Sequence, residues 1–121
     1  MKSGNLIVDL SFQFSLNIIS YTDKLTETRK YGMAKQLFNA GTSIVANVNE
    51  SQYGESKNDF IHKLKIAEKE ASEAEYRLNL CKLSETYPDP GKLIDDIKVI
   101  RRVLSKIITS SRKKYSSLVI P

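Results

Sequence analysis

The clearest periodic pattern in the chain is a heptad run of apolar and small residues between positions 56 and 81. Seven positions separated by alternating steps of four and three carry it: Phe60, Leu64, Ala67, Ala71, Ala74, Leu78 and Cys81. The residues between them are mostly polar, and neither Pro nor Gly interrupts the run. This spacing keeps one stripe of an α-helix facing its neighbours, and the alanines let a second helix approach closely. The pattern predicts a long helix over 57–84, capped at its N-terminus by Ser56.

Two further segments show helical periodicity. The segment 30–49 is rich in small residues in its later half, where Gly41 favours close packing, which we expect to be against the alanine stripe. The segment 90–115 has an apolar seam, and Asp89 and Pro90 suit the N-cap and the first helical position. We expect 116–121 to form a tail. The members of the last seam are Leu93, Ile97, Ile100, Leu104 and Ile107.

The first segment, 6–25, fits two patterns. Apolar residues alternate with polar ones from Leu10 to Ile18, which is typical of a strand. A helix would instead place Val8, Phe12 and Ile19 on one broad face together with Ser15 and Leu16. An isolated strand in a helical chain would have no partner for its backbone groups, so we predict a helix.

The predicted loops are short. The polar residues 26–30 separate the first two helices, with Thr26 and Thr28 as candidate N-caps. Residues 49–55 form the next turn, where Gly54 is expected in the left-handed conformation. Short connections favour antiparallel neighbours. The 121 residues therefore predict an all-α, antiparallel up-and-down four-helix bundle that forms a single domain over 1–121.

The positive charge is concentrated in the last segment. The chain has 19 basic and 14 acidic residues. Basic and acidic side chains balance at five each over 1–56 and at six each over 57–86, whereas 87–121 has eight basic and three acidic. At 100° per residue, six cations cluster on the side of the last helix opposite its seam, with Asp95 inside the same arc: Lys98, Arg101, Arg102, Lys106, Arg112 and Lys113. Such a row can neutralise phosphates.

Residues with typical catalytic or metal-binding patterns are scarce. His62 is the single histidine, and both it and Asp59 are predicted to face outward, so half of a bundle di-metal site is missing. Cys81 lies on the seam, which indicates a buried thiol. No glycine-rich phosphate loop occurs. We expect no enzyme activity, catalytic residue, metal or cofactor. The single cysteine indicates a reducing cytoplasmic location, and no apolar run approaches the ~20 residues of a membrane span.

Several residues resemble the pattern of a known bacterial family. The matching positions fall in the second and third predicted helices and the turn between them: Ser43, Ile44, Asn47, Glu50, Ser56, Asp59, Phe60, Ala71, Ala74 and Glu75. They resemble the proteins encoded in intervening sequences of 23S ribosomal RNA genes, and the accessory variability proteins of diversity-generating retroelements are similar. Val45 and Ser51 depart from the pattern, because many members have Pro and Gly there.

The resemblance implies an up-and-down four-helix bundle, a helical first segment and assembly into a homo-oligomeric ring, most commonly a pentamer. It supplies no catalytic residues, and it suggests association with nucleic acid. Together with the charge pattern it leads to two hypotheses. In the first, the basic side of the last helix binds RNA or DNA. In the alternative, the protein is an oligomeric scaffold whose basic side meets another protein.

Overall fold

The computed structural model describes the backbone of residues 2–119 and the side chains of residues 2–113. Four helices follow one another in the chain: α1 (Leu6–Glu27), α2 (Tyr31–Ser51), α3 (Lys57–Leu83) and α4 (Leu93–Val119). Contacts join α1 to α2, α2 to α3, α3 to α4 and α4 back to α1, whereas the diagonal pairs are not neighbours in the described part of the chain. The described residues thus form an all-α, up-and-down four-helix bundle, as predicted.

The alanine stripe of α3 lies in the middle of the bundle. Ala67, Ala71 and Ala74 are completely buried, and so are Leu64 and Leu78. Helix α3 therefore places its heptad seam against α2 and α4, which confirms the face predicted from the spacing. Ser56 caps the helix, because its hydroxyl accepts a hydrogen bond from the amide of Asp59 at 3.1 Å.

The close approach at Gly41 involves α1 and not the alanine stripe. A Cβ atom on Gly41 would lie 2.7 Å from Cγ2 of Ile18. At the same crossing the buried hydroxyl of Ser15 donates to the carbonyl oxygen of Gly41 at 2.8 Å. The prediction that Gly41 packs against the alanine stripe of α3 was wrong. Helix α2 has small residues on the sides that face α1 and α3, and the glycine lies where the bulky Ile18 of α1 packs against α2.

Helix α1 buries a face that differs in part from the predicted one. The core side contains Ile7, Phe14, Ile18, Tyr21 and Leu25. Of the predicted face, Ser15 is buried and Val8 packs against the core. Leu16 and Ile19 are 46% and 37% exposed, so the prediction was wrong for these two residues. The helix has apolar residues on two sides, and its own sequence does not say which side meets the bundle.

The helix ends also differ in part from the predictions. The α1–α2 turn places Arg29 in the left-handed region, at φ 63°. Thr26 lies inside α1, Thr28 is its C-cap, and Lys30 begins α2 without a side-chain cap. Neither threonine is therefore an N-cap. Helix α2 continues to Ser51 instead of 49, and its buried Ser51 hydroxyl donates to the carbonyl oxygen of Val48.

The predictions that Gly54 is left-handed and that Asp89 and Pro90 begin the last helix were also wrong. Gly54 is not left-handed, whereas Gly91 has φ 62°. Its amide donates to Oδ1 of Asp89 at 3.1 Å. Asp89 therefore closes a turn instead of capping α4, and α4 begins at Leu93 instead of 90.

The far end of α4 also departs from its predicted limit. The helix reaches Val119 instead of 115. It therefore includes the backbone of 116–119, which was expected to be tail, while 120–121 lie outside the described residues. Within the described residues, no helix has the length and apolar character needed to cross a membrane.

Candidate nucleic-acid interface

Helix α4 places its apolar seam inward and its cations outward. Leu93, Ile97, Ile100 and Leu104 are buried. In the part of α4 whose side chains are described, the seam continues through the buried Ile108, whereas the predicted Ile107 is half-buried and packs against the core from its edge. Since a helix turns 100° per residue, Lys98, Arg102, Lys106 and Lys113 lie opposite this seam. Arg101 and Arg112, predicted to lie there too, lie on the flank between the seam and the outer side. We call Lys98, Arg101, Arg102, Lys106, Arg112 and Lys113 the α4 basic face.

Five of the six cations on the α4 basic face are exposed, and Arg101 is the half-buried exception. In the described part of the chain, four of them take part in no ion pair: Lys98, Arg102, Lys106 and Arg112. The structure therefore brings the predicted residues onto one surface. Asp95 is exposed in the first turn of α4 and reduces the positive charge at that end.

Arg101 differs from its neighbours because it has an acidic partner on α3. Its Nη1 atom lies 3.1 Å from Oε1 of Glu75. The Glu75 side chain is 18% exposed and that of Arg101 is 41% exposed. An open cleft surrounds this pair between the two helices, and it is lined by Glu68, Glu75, Lys98, Arg101, Arg102 and Ser105. One edge of the α4 basic face is thus bordered by carboxylates.

The structure adds one cation that the sequence reasoning missed. Lys57, the first residue of α3, lines a second open cleft with Lys106, Ile107, Ser110 and Ser111 of α4. Its Nζ atom also lies 5.8 Å from the centroid of the Phe60 ring. Lys57 is far from α4 in sequence, so only the antiparallel packing of α3 and α4 reveals this proximity.

Six of the matching positions, which we call the family-motif residues, lie on α2, on the first turn of α3 and at the turn between them: Ser43, Asn47, Glu50, Ser56, Asp59 and Phe60. Three further matches, Ala71, Ala74 and Glu75, lie in the middle of α3. The amide nitrogen of Asn47 donates to the carbonyl oxygen of Ser43 at 2.9 Å and to its hydroxyl at 3.2 Å. Glu50 forms an ion pair with Lys63 of α3 at 3.4 Å. Asp59 is exposed and Phe60 packs against the core. These contacts give Ser43, Asn47 and Glu50 roles in local structure.

The other reactive side chains are placed unfavourably for chemistry. Cys81 is buried, and burial raises the pKa of its thiol above the ordinary value of 9.0. Burial, with the neighbouring Cys81, also raises the pKa of Tyr21, whose hydroxyl donates to the carbonyl oxygen of Pro88 at 2.7 Å. His62 is exposed on α3, as predicted. Among the residues the structure describes, no three His, Cys, Asp or Glu side chains are grouped to hold a metal ion.

Two apolar surfaces are exposed on different sides of the bundle. Tyr76, Leu80 and Leu83 follow one another along the outer side of α3 and are 62%, 43% and 83% exposed. We call them the α3 apolar stripe. On α1, which lies diagonally across the bundle from α3, Leu16 and Ile19 are 46% and 37% exposed. Since α1 and α3 are diagonal in the bundle, these outward surfaces face different directions.

Comparison with known proteins places this architecture in a family. The sequence profile of the 23S rRNA-intervening sequence proteins matches residues 4–106. A crystal structure of a protein of unknown function from the S23 ribosomal protein family of Bacteroides thetaiotaomicron VPI-5482 is similar, with 36% identity and a TM-score of 0.80. The match covers 84% of this chain and 97% of the other. No curated protein matches significantly. The chain therefore belongs to the 23S rRNA-intervening sequence protein family.

Proposed function

We propose that this protein is a non-enzymatic, cytoplasmic homo-oligomer that binds RNA or DNA through the α4 basic face. The observation that carries the proposal is the exposure of Lys98, Arg102, Lys106 and Arg112 on one side of α4 without any ion pair among the described residues. The whole excess of positive charge lies beyond residue 86. A polyanion is therefore attracted to this surface more strongly than to the rest of the chain, where acidic and basic side chains balance.

The spacing of the cations suits a phosphate backbone. Lys98, Arg102 and Lys106 are four residues apart, so successive charges are separated by about 6 Å along the helix axis. Each cation that neutralises a phosphate releases condensed counterions, which makes binding favourable at low salt and weaker at high salt. Ser105 lies between them on the same side and can donate a hydrogen bond to a phosphate oxygen.

The exposed apolar surfaces support self-association. The α3 apolar stripe and the surface around Leu16 and Ile19 lie on different helices. Contact of the stripe of one copy with the α1 surface of the next would therefore be heterologous. A heterologous contact produces a closed ring when the rotation between subunits closes, in agreement with the pentamer implied by the sequence resemblance. A ring would also present several α4 basic faces to one nucleic acid and increase its apparent affinity.

The proposal is tested by charge reversal. The Lys98→Glu, Arg102→Glu double variant should lose most of its binding to a structured RNA or a DNA duplex at about 50 mM salt. The matched control is Lys35→Glu with Lys69→Glu, which changes the net charge equally at exposed positions on α2 and α3. The parent chain should also bind more weakly as salt rises. Equal affinity of the two double variants, or no binding by the parent chain, would contradict the proposal.

Self-association is tested separately by molar mass in solution. A pentamer would have five times the chain mass of 13.7 kDa. Replacing Leu80 and Leu83 with Glu should reduce the molar mass to that of a smaller species while the helical content is retained. A parent chain that is monomeric at micromolar concentration would rule out the ring.

The α3 apolar stripe also favours a second candidate function, a scaffold that binds another protein. Exposed Tyr and Leu are typical anchors of protein interfaces. In that case, a partner retained from cell extract should survive nuclease treatment and be lost when Leu80 and Leu83 are replaced. A partner that dissociates on nuclease treatment would favour the nucleic-acid function.

A further inference from the structure

We propose that Glu75 is an intramolecular competitor that limits how tightly the α4 basic face holds a phosphate backbone. This inference rests on the proposed function and adds a regulatory residue from another helix. The observation that carries it is the Glu75–Arg101 ion pair at 3.1 Å. In this pair a carboxylate oxygen of Glu75 contacts the guanidinium of Arg101, at the place where a phosphate oxygen would otherwise bind.

The Glu75–Arg101 pair lies where Glu75 can also affect phosphate binding by the neighbouring cations. Arg101 lies on the edge of the α4 basic face that borders α3, and the same cleft contains Lys98 and Arg102. A phosphate that contacts either of these cations from the cleft side lies close to the Glu75 carboxylate. Like charges at this separation repel each other, and the half-buried position of Glu75 reduces solvent screening.

The second carboxylate of the cleft has a different partner. Glu68 lies one heptad before Glu75 on the same side of α3, but its Oε1 atom pairs with Nζ of Lys65 at 3.3 Å. Lys65 belongs to α3 and not to the α4 basic face. Of the two carboxylates in the cleft, Glu75 is thus the one that is ion-paired with a cation of the proposed binding surface.

Replacement of Glu75 by a phosphate at Arg101 reduces the net free energy of binding. When a phosphate replaces Glu75, the carboxylate loses its partner while it is still partly buried, so part of the binding free energy is spent on breaking the ion pair. The parent chain therefore gains less from Arg101 than from a freely exposed arginine. Removing the charge of Glu75 should release Arg101 for phosphate and also remove the repulsion.

The test compares Glu75→Gln with Glu73→Gln in the full-length chain. Both substitutions remove one negative charge from α3 and break an ion pair, but Glu73 pairs with Arg77 of its own helix at 3.8 Å. With a DNA duplex as the probe, Glu75→Gln should bind about two- to fivefold more tightly than Glu73→Gln. Its plot of log affinity against log salt should be steeper by about 0.9, which corresponds to one additional phosphate contact.

A third variant identifies Arg101 as the group released. Arg101→Gln should weaken binding more in the Glu75→Gln background than in the parent chain, because only there is Arg101 free of its acidic partner. Equal affinities of the two glutamate variants would overturn the inference, and so would weaker binding by Glu75→Gln than by the parent. Circular dichroism melts of each variant test whether the fold is retained. We expect that it is, because glutamine at position 75 can still accept a hydrogen bond from Arg101.

Failure of this inference is distinguishable from failure of the proposed function. If Lys98→Glu with Arg102→Glu abolishes binding while Glu75→Gln and Glu73→Gln behave alike, the surface binds nucleic acid and the competition by Glu75 is refuted. If neither the parent chain nor Glu75→Gln binds the duplex, both are refuted.

Discussion

Replacing Gly41 with Ala tests whether the α1–α2 crossing is as close as the structure indicates. The new Cβ atom would lie 2.7 Å from Cγ2 of Ile18 and 3.0 Å from its Cβ and Cγ1. Favourable contacts between carbon atoms are about 3.5–4.0 Å. Ile18 is fully buried, so it has no open space to enter, and the two helices must move apart by roughly 1 Å.

The expected magnitude follows from three effects. Ala stabilises a helix interior by about 1 kcal/mol relative to Gly. Overpacking a closely packed site costs about 1–3 kcal/mol, and separation of the helices also weakens the 2.8 Å hydrogen bond from Ser15 to Gly41, which contributes about 1 kcal/mol. The two costs exceed the gain, so Gly41→Ala should lower the free energy of unfolding by about 1–3 kcal/mol.

The same helix provides a matched control. Gly32 lies in the first turn of α2, and a Cβ atom added there would meet nothing within 4 Å. Gly32→Ala should therefore leave stability unchanged or raise it by up to about 1 kcal/mol. The same chemical substitution is thus expected to have opposite effects at two positions of one helix.

Urea denaturation followed by circular dichroism, at one protein concentration for all variants, measures these changes. In an Ile18→Ala background, Gly41→Ala should lose most of its cost, because the atoms Cγ1 and Cγ2 are absent. A Gly41→Ala chain as stable as the parent would show that the crossing is wider than described. A cost unaffected by Ile18→Ala would show that Ile18 is not the side chain that the new Cβ meets.

Four further outcomes are expected from the packing of the core. Ala71→Leu should cost about 1–3 kcal/mol by overpacking the fully buried stripe, whereas Ser72→Leu at the adjacent exposed position should change stability by less than about 0.5 kcal/mol; equal urea midpoints would refute the seam. Above pH 9–10 the free energy of unfolding should fall, because the unfolded chain releases the protons of Cys81 and Tyr21 while burial raises both pKa values in the fold. Tyr21→Phe should make this fall shallower in urea titrations and cost about 1 kcal/mol at pH 7 through the lost hydrogen bond to Pro88; an unchanged slope would refute the role of Tyr21. Cys81 should react with a thiol reagent such as DTNB only as urea unfolds the chain, and stoichiometric labelling of the native protein within seconds would contradict its burial.

Much of the candidate interface could be predicted from the sequence because it lies on one helix. The periodicity of α4 fixes which residues lie away from Leu93, Ile97 and Ile100, so the spacing alone predicts that the cations share one surface. The contribution of Lys57 and the pairing of Arg101 with Glu75 could not be predicted. Both depend on the register between α3 and α4, and a helical pattern contains no information about register with its neighbour.

The sequence by itself determined the number and type of the elements and the buried face of α3. The heptad spacing of α3, with alanines in its centre, leaves one side of the helix that can face the core. Its uninterrupted run of good helix formers favours a helix over a strand or a loop. The tertiary structure decided which face of α1 is buried, where Gly41 makes its close contact and where α4 begins. In α1 both sides are apolar enough to be buried, so the choice depends on the shape of the space left by the other three helices. At the turns, Arg29, Gly91 and Asp89 adopt conformations set by how each helix must enter the bundle, which is a property of the packed chain and not of its local sequence.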